Sequence, residues 1–355
     1  MRPREGLSNL YRRRFLLSTL AATLVLAVVI GVWAIRGFTG SISGQVTPQP
    51  GPTPTRQVTA SPPTQASPLL FGTNLGLFNA NDQVLTSATT RELMQQLHVR
   101  IVRIPMRSNL PVTLEVQAEQ AVKSIGAIPL VVLTGLRNPR ALADDTRMIQ
   151  ETNKVFGNSL VYYEFGNEDD WNGVTIARYT QGWNALVPQF QRLARNGKFI
   201  GPVSYQYIHD NLLAFLQDAH PRPDAISWHE YSCSYKDPAA TCLAEIPQWT
   251  THISDARNVM QATLGTTLPI MITEWNYAAD QSTQSNGLPF DDGKYNNPAF
   301  MTQWTTEALH TLAAGGIFAS MQYSVTNTAL PLITYNNTLT LQGQAFQKAY
   351  SALSP

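Results

Sequence analysis

The sequence predicts an α/β fold, a (β/α)8 TIM barrel preceded by a single transmembrane helix and a disordered linker. Two observations predict the barrel: eight short apolar runs rich in β-branched and aromatic residues follow one another from Leu69, and segments of helical periodicity separate them. Strands separated by helices run parallel, and eight such units favour a closed barrel over an open sheet. A doubly wound sheet is the weaker interpretation, because FGTNLG after the first run is not a G-x-G-x-x-G turn.

The first 68 residues divide into three segments by composition. Residues 1–14 are a basic tail, residues 15–36 contain an uncharged apolar run long enough to cross a bilayer, and residues 37–68 are rich in Pro, Thr and Ser. The arginines before the apolar run predict a cytoplasmic tail and an uncleaved signal anchor, with the rest of the chain extracytoplasmic. Secretion after cleavage of a signal peptide is the alternative, although no A-x-A site follows the run.

The eight strand candidates are short apolar runs in the region 69–355. In order they are LLFGTNL (69–75), RIVRIPM (100–106), IPLVVLT (128–134), LVYYEFG (160–166), FIGPVS (199–204), AISWHEY (225–231), PIMITEW (269–275) and IFASMQY (317–323). The segments between them and after the last have apolar residues three and four positions apart, and several end at glycine, as helices commonly do. In order they are TTRELMQQLH, LEVQAEQAVKSIG, ALADDTRMIQETNKVFG, IARYTQGWNALVPQFQRLARNG, LLAFLQDAH, ISDARNVMQATLG, FMTQWTTEALHTLAAGG and QGQAFQKAYSALS.

Charge, cysteine and histidine usage exclude several classes of function. The 25 basic and 24 acidic side chains nearly cancel, so bulk charge does not favour nucleic acid as a partner. Cys233 and Cys242 lie close together in a turn-rich, extracytoplasmic segment, which predicts a disulfide; a metal pair or two free thiols are the alternatives. The histidines show no metal-ligand spacing, and neither a metal nor a cofactor is predicted.

Two glutamates end strand candidates four and seven, in FGNEDD and ITEWNY. The active site of a (β/α)8 barrel lies at the carboxyl ends of its strands, so Glu168 and Glu274 are expected to face each other across the barrel mouth. A facing carboxylate pair is the basic equipment of glycoside hydrolysis. Glu168, among aromatic and acidic neighbours, is predicted to be the acid and base, and Glu274 the nucleophile, with Arg103 keeping it charged.

Four short motifs at strand ends carry a family resemblance. G-N-E at strand four, T-E-W-N at strand seven, H-E-Y at strand six and V-R-I-P at strand two resemble the glycoside hydrolases of clan A, retaining enzymes on a (β/α)8 barrel. The resemblance is greatest to family 39, with similarity to families 51 and 79. Proline commonly follows the acid/base glutamate in family 39, whereas Asp169 and Asp170 follow it in this sequence.

The resemblance also implies roles for the neighbouring polar residues. Asn167 would hydrogen-bond the sugar 2-hydroxyl, and Arg103 would orient Glu274. His229 and Tyr231, two residues apart on one strand, point to the same face and are expected to reach the nucleophile or the sugar. Glu164, deeper in strand four, is expected to pair with a buried arginine.

Aromatic residues near these motifs are candidate sugar platforms. Trp275 and Trp171 either stack on the apolar face of a sugar ring or pack in the ordinary way. Tyr205, Tyr207 and Tyr323, just past strand ends, are weaker candidates.

The sequence therefore predicts a membrane-anchored, extracytoplasmic, retaining glycoside hydrolase acting on a carbohydrate substrate. Its segments are the tail 1–14, the anchor 15–36, the linker 37–68 and the catalytic barrel 69–355. A glycan-binding barrel without catalysis and a transglycosylase using the same residues are the alternatives. The sugar, the linkage and the oligomeric state are left open.

Overall fold

The computed structural model describes residues 66–107, 110–279 and 292–353. The predicted tail, the anchor 15–36 and nearly all of the linker lie outside the described residues, so those predictions remain untested. None of the helices within the described residues has the length and apolar character needed to cross a bilayer.

Eight parallel strands close into a barrel in sequence order, as predicted. They are β1 (Leu69–Asn74), β2 (Ile101–Ile104), β3 (Ile128–Leu133), β4 (Val161–Phe165), β5 (Gly197–Ser204), β6 (Ala225–Cys233), β7 (Ile270–Ala278) and β8 (Ala319–Gln322). Strand β8 pairs with β1 and completes the ring. Every predicted strand overlaps an observed one, because apolar runs buried on both faces are the pattern of a parallel barrel.

The helices lie between the strands and after the last of them. Within the described residues they are α1 (Gln83–Thr86), α2 (Ala88–Gln96), α3 (Val112–Ser124), α4 (Ala141–Phe156), α5 (Ile176–Leu193), α6 (His209–Asp218), α7 (Ala239–Ala244), α8 (Ile246–Leu264), α9 (Pro298–Ala314) and α10 (Leu341–Leu353). A short 3-10 helix, Gly135–Arg137, follows β3. The short helices α1 and α7 were not predicted, because they lack the two or more turns over which helical periodicity can be recognised.

The core has two layers that follow from the alternation of side chains along each strand. One layer fills the barrel interior and comprises Ile101, Leu130, Val132, Tyr162, Ile200, Ala225, Met271, Ala319 and Met321. The other and larger layer lies between the strands and the helices. The interior layer fills the lower part of the barrel with side chains.

A register shift places the catalytic candidate on β7. Trp228 on β6 pairs with Ile272, but the next pair is His229 with Glu274, so Thr273 is an extra residue on β7. Such a bulge redirects the side chains that follow it. As a result Glu274 faces the mouth of the barrel beside His229, although Met271 three residues earlier fills the interior.

The predicted disulfide is present. Cys233 at the end of β6 is bonded to Cys242 in α7, with 4.9 Å between their Cα atoms. The bond fixes α7 to the carboxyl end of a barrel strand.

Candidate active site

A cleft of about 380 Å³ lies at the carboxyl ends of the strands. It is lined by Asn74, Leu75, Arg103, Pro105, Met106, Arg107, Val132, Arg137, Asn167, Glu168, Trp171, Tyr205, Tyr231, Glu274, Ala279 and Tyr323. Of the predicted site residues, Arg103, Asn167, Glu168, Trp171, Tyr231 and Glu274 are in this lining, and His229 lies directly behind it. Residues far apart in sequence therefore meet at one site, as the barrel geometry requires.

Arg103 on β2 holds the polar groups at the base of the cleft together. Its Nε donates to Glu164 at 2.6 Å, and its Nη2 donates to Asn167 at 2.5 Å. Nη1 donates both to Asn74, at 3.0 Å, and to the carboxylate of Glu274. Burial lowers the pKa of Arg103, but the carboxylates of Glu164 and Glu274 outweigh it and raise that pKa above its ordinary value. A permanent positive charge thus lies under the nucleophile candidate, and Glu164 is its buried partner, as predicted.

Glu274 is buried and held in its ionised form. Burial alone would raise the pKa of its carboxyl, but His229, Arg103 and the hydrogen bond from Tyr231 together lower that pKa below its usual range. The Tyr231 hydroxyl donates to Oε2 of Glu274 at 2.6 Å. A desolvated carboxylate with fixed donors has the properties of a positioned nucleophile.

Glu168 differs from Glu274 in its surroundings. Its side chain is 19% exposed, and Oε1 lies 2.8 Å from Nδ1 of His229. No arginine or lysine forms an ion pair with it among the described residues. Its backbone has φ of +49°, a left-handed conformation that is uncommon for residues other than glycine, asparagine and aspartate. The Glu168 N–H donates to Val203 O at 3.1 Å, which fixes this turn against β5.

His229 connects the two carboxylates. Its Nδ1 is 2.8 Å from Glu168 and 3.7 Å from Glu274. Burial lowers the pKa of the imidazole, but the charge of Glu274 and the contact with Glu168 raise it above its ordinary value. A proton can therefore be shared between His229 and Glu168.

One carboxylate oxygen of Glu168, one of Glu274 and a nitrogen of His229 all lie within 4.8 Å of one another. Such a group could hold a metal ion, but Arg103 and Tyr231 already donate to both oxygens of Glu274. A cation would have to displace a buried guanidinium. The arrangement fits proton transfer and nucleophilic attack better than metal binding.

Aromatic side chains form one wall of the cleft. Trp171 is 61% exposed, and its ring centroid lies 4.6 Å from that of Tyr205. Tyr205 in turn lies 6.0 Å from Tyr231, and its N–H donates to Asp170 Oδ1 at 3.1 Å. An exposed indole beside a cleft can stack on a sugar ring, so Trp171 lies where a platform was predicted.

The expectation that Trp275 contacts a sugar is not met. Its side chain is fully buried on the outer face of β7, 6.0 Å from Trp304 and 6.4 Å from Phe346 between ring centroids. Consecutive residues of a strand point to opposite faces, so the neighbour of an inward Glu274 must point outward. Glu230, next to the inward His229, likewise faces outward and accepts a hydrogen bond from Trp228.

Three polar residues of the cleft were not predicted from the sequence. Asn74 ends β1, Arg107 follows β2 by three residues, and Arg137 lies in the 3-10 helix after β3. All three are polar residues at or just beyond strand ends, so the rule that selected Glu168 would also have found them. The 3-10 helix after β3 also provides a partner for Asp169. The buried Asp169 carboxylate lies 3.6 Å from Arg137, and burial raises its pKa to about 6.

The fold resembles solved structures of glycoside hydrolases. AbfB, a family 51 α-L-arabinofuranosidase from Bifidobacterium longum, aligns with a TM-score of 0.61 and 14% identity over 82% of this chain and 74% of its own. The family 51 arabinofuranosidase from Xanthomonas axonopodis pv. citri aligns with a TM-score of 0.62 and 12% identity over the same shares. A β-xylosidase from Caulobacter crescentus aligns with a TM-score of 0.55 and 11% identity, over 80% of this chain and 68% of its own.

No protein-family model matches the sequence, and a search of curated proteins gives no match either. At identities of 11 to 14% the aligned structures establish a shared barrel fold. The similarity to family 39 in particular stays a prediction.

Proposed function

We propose that this chain is a retaining glycoside hydrolase in which Glu274 is the nucleophile and Glu168 the acid and base. The observation that carries the proposal is the pair of carboxylates at one cleft, with oxygens within 4.8 Å of each other and with different surroundings. Retaining enzymes separate these carboxyl groups by about 5 to 5.5 Å and inverting enzymes by about 6.5 to 9.5 Å. The short separation supports double displacement.

In the first step Glu274 attacks the anomeric carbon while Glu168 protonates the departing oxygen. The bond from carbon to the leaving oxygen breaks as the bond from carbon to Glu274 forms, which gives a covalent glycosyl ester. Arg103 and Tyr231 keep Glu274 ionised before the attack. His229 holds Glu168 at hydrogen-bond distance and can supply its proton.

In the second step Glu168, now ionised, removes a proton from water. The water oxygen attacks the anomeric carbon, the ester bond to Glu274 breaks, and the sugar leaves with its original configuration. Asn167 is held at the cleft by Arg103 and can bind the sugar 2-hydroxyl. Trp171 provides a stacking surface beside Glu168 for the leaving group.

The aligned structures support this reaction class. Two are described as arabinofuranosidases and one as a β-xylosidase, all enzymes that cleave glycosidic bonds. We also propose that residues 15–36 anchor the enzyme in the cell membrane with the barrel outside. The apolar run and the arginines before it support this placement.

The first test measures hydrolysis of a panel of aryl glycosides by the full chain in mild detergent. Glu274→Gln and Glu168→Gln are each expected to lower kcat/KM by roughly 10³-fold, because each removes a group that acts on the reacting atoms. Glu307→Gln, an exposed glutamate on α9, is the matched control and should retain full activity. Full activity in either catalytic variant would refute the assignment.

The roles of Glu168 and Glu274 can be distinguished by changing the leaving group of the substrate and by adding azide. Glu168→Ala should still cleave a 2,4-dinitrophenyl glycoside, which needs no protonation, and azide should accelerate it and yield a glycosyl azide of retained configuration. Glu274→Ala should hydrolyse neither the 2,4-dinitrophenyl glycoside nor the aryl glycosides of the first test. A binding barrel without catalysis predicts no turnover of any glycoside, and a transglycosylase predicts that added acceptor sugars capture most of the product.

A further inference from the structure

Arg107 is a cation in the cleft that the proposed mechanism does not use. The cleft lining contains three arginines, Arg103, Arg107 and Arg137, and two glutamates, Glu168 and Glu274. One of those glutamates carries a proton when the enzyme is ready to react. With the buried partners Glu164 and Asp169 included, three positive and three negative charges balance, and among the described residues Arg107 is the arginine of the cleft without a carboxylate in an ion pair.

The other two arginines have carboxylate partners, but Arg107 does not. Arg103 pairs with Glu164 and Glu274, and Arg137 lies 3.6 Å from Asp169. No ion pair of the Arg107 guanidinium is found among the described residues. Glu115 accepts from the Arg107 backbone N–H at 2.6 Å and forms no ion pair with the guanidinium.

The Arg107 side chain is held in place with hydrogen-bonding capacity to spare. Its Nη2 donates to Gly76 O at 2.7 Å, and its guanidinium carbon lies 4.3 Å from the ring centroid of Phe78. Its Nε is buried and has no hydrogen-bond partner within the described residues. Because Nε is shielded, an acceptor in the cleft would use the remaining N–H groups of Nη1 and Nη2, which a guanidinium has in excess of the bond to Gly76.

Arg107 lies in the half of the cleft that receives the sugar under attack. Glu168 protonates the leaving oxygen, so the leaving group lies on its side, with Trp171 and Tyr205. The side of the cleft that adjoins β7 is built from the ends of β8, β1 and β2: Tyr323 directly follows β8, and Arg107, which follows β2, donates to Gly76 O just past β1. The ring bonded to Glu274 therefore extends toward Arg107.

We propose that the sugar on the Glu274 side carries a carboxylate, so that the substrate is a glycoside of a uronic acid, and that Arg107 binds this group. A guanidinium matches the planar shape and single charge of a carboxylate. The proposal rests on the proposed function, since it assumes which side of the cleft holds the attacked ring. Arg107 is thus a specificity-determining residue.

The test compares substrates that differ only in this group. The full chain in detergent is given 4-methylumbelliferyl glycosides of glucuronic, galacturonic and iduronic acid, in both anomeric forms, beside their methyl esters and neutral counterparts. We expect a uronide to exceed its own ester and neutral counterpart in kcat/KM by at least about 10-fold, the lower end of what a charged hydrogen bond contributes. Arg107→Gln should lower kcat/KM for the uronide at least about 10 times more than for the neutral sugar, and Arg107→Lys should restore part of the loss.

A binding measurement separates this proposal from the proposed function. Free glucuronate, galacturonate and iduronate are titrated against wild type, Arg107→Gln and Arg192→Gln, an exposed arginine near the end of α5 that controls for net charge. Binding of a uronate that Arg107→Gln loses and Arg192→Gln keeps supports the proposal even if no glycoside is hydrolysed. Hydrolysis of neutral glycosides with equal or better kcat/KM, or failure of all uronates to bind, would overturn it and leave the proposed function standing.

Discussion

Each of the two catalytic candidates takes its character from a few neighbouring atoms. Glu274 receives hydrogen bonds from Arg103 on β2 and Tyr231 on β6, whereas Glu168 contacts only His229 among the charged groups described. Donors to the charged form favour ionisation, which accounts for the lowered pKa of Glu274. The two carboxylates therefore differ in their hydrogen-bond donors, as the proposed roles require.

The substitution Tyr231→Phe tests how one hydrogen bond affects the ionisation of Glu274. The Tyr231 hydroxyl stabilises ionised Glu274, whose pKa lies below its usual range, so removing it should raise that pKa. Because Glu274 must be ionised to attack, the acidic limb of the kcat/KM profile should move to higher pH, by about 1 pH unit for a lost charged hydrogen bond. The profile is measured with one aryl glycoside from pH 3 to 9.

Tyr335→Phe is the matched control, since Tyr335 is 58% exposed and away from the cleft lining. Its profile should coincide with that of the wild type. An acidic limb that stays in place in Tyr231→Phe would show that the tyrosine does not set the ionisation of Glu274.

At the scale of single residues, the sequence identified the cleft residues that obey one rule, the placement of polar side chains at the carboxyl ends of strands. Carboxylates and their partners at strand ends were identified because the barrel brings those ends together. Trp275 was misjudged although strand alternation already opposes it to Glu274. Arg107 was missed although it follows β2 by three residues, as Glu168 follows β4, because the strand-end rule was applied only to the residues of the four motifs.

At the scale of one element, the loop after β4 is positioned by close contacts at glycine. Gly166 has φ of +88°, and a Cβ there would lie 3.0 Å from Asp169 Oδ2. A Cβ on the neighbouring Gly135 would lie 2.7 Å from the Gly166 Cα. The loops after β3 and β4 therefore touch at two glycines, and this contact positions Asn167 and Glu168.

Gly166→Ala should be more damaging than Gly173→Ala. Both glycines have positive φ, +88° and +82°, but no atom lies within 4 Å of a Cβ at Gly173. The left-handed conformation alone costs about 1 to 2 kcal/mol. Gly173→Ala should lose that much stability in urea unfolding and keep its activity. Gly166→Ala should lose about 1 kcal/mol more, because Asp169 must move, and its kcat/KM should fall about 10-fold or more.

If both variants lost equal stability and neither lost activity, the loop contact would have no role in positioning Glu168. The glycine in G-N-E was visible in the sequence, but its close approach to Gly135 was not. The bulge at Thr273 was likewise not visible in the sequence, because it depends on how β6 and β7 pair and not on either strand alone.

Fold prediction succeeded at the scale of the whole barrel. Eight apolar runs and the segments between them leave few topologies, because parallel strands need crossovers of one hand. The order β1 to β8 and the closure between β8 and β1 follow from that restriction. Specificity did not follow, since it depends on loop residues such as Arg107.

The disulfide and the apolar segment 15–36 both bear on a proposed property of the whole chain, an extracytoplasmic barrel held by a membrane anchor. Cys233 and Cys242 are bonded, and disulfides persist in oxidising compartments outside the cytoplasm. The arginines that precede the apolar segment predict that the N-terminus stays inside. Both features agree with an extracytoplasmic barrel.

We expect the full chain, expressed in bacterial cells with an N-terminal tag, to remain in the membrane after carbonate washing, because an apolar span of this length does not leave the bilayer. Protease added to spheroplasts should degrade the barrel but leave the tag intact. Cys233 and Cys242 should react with maleimide only after reduction, since they are the only cysteines in the chain. A chain lacking residues 1–36, kept in the cytoplasm, is the control and should show free thiols and no membrane association. Release of the full-length barrel into the medium without its tag would instead show cleavage of the segment, and protection of the barrel from protease would contradict the predicted orientation.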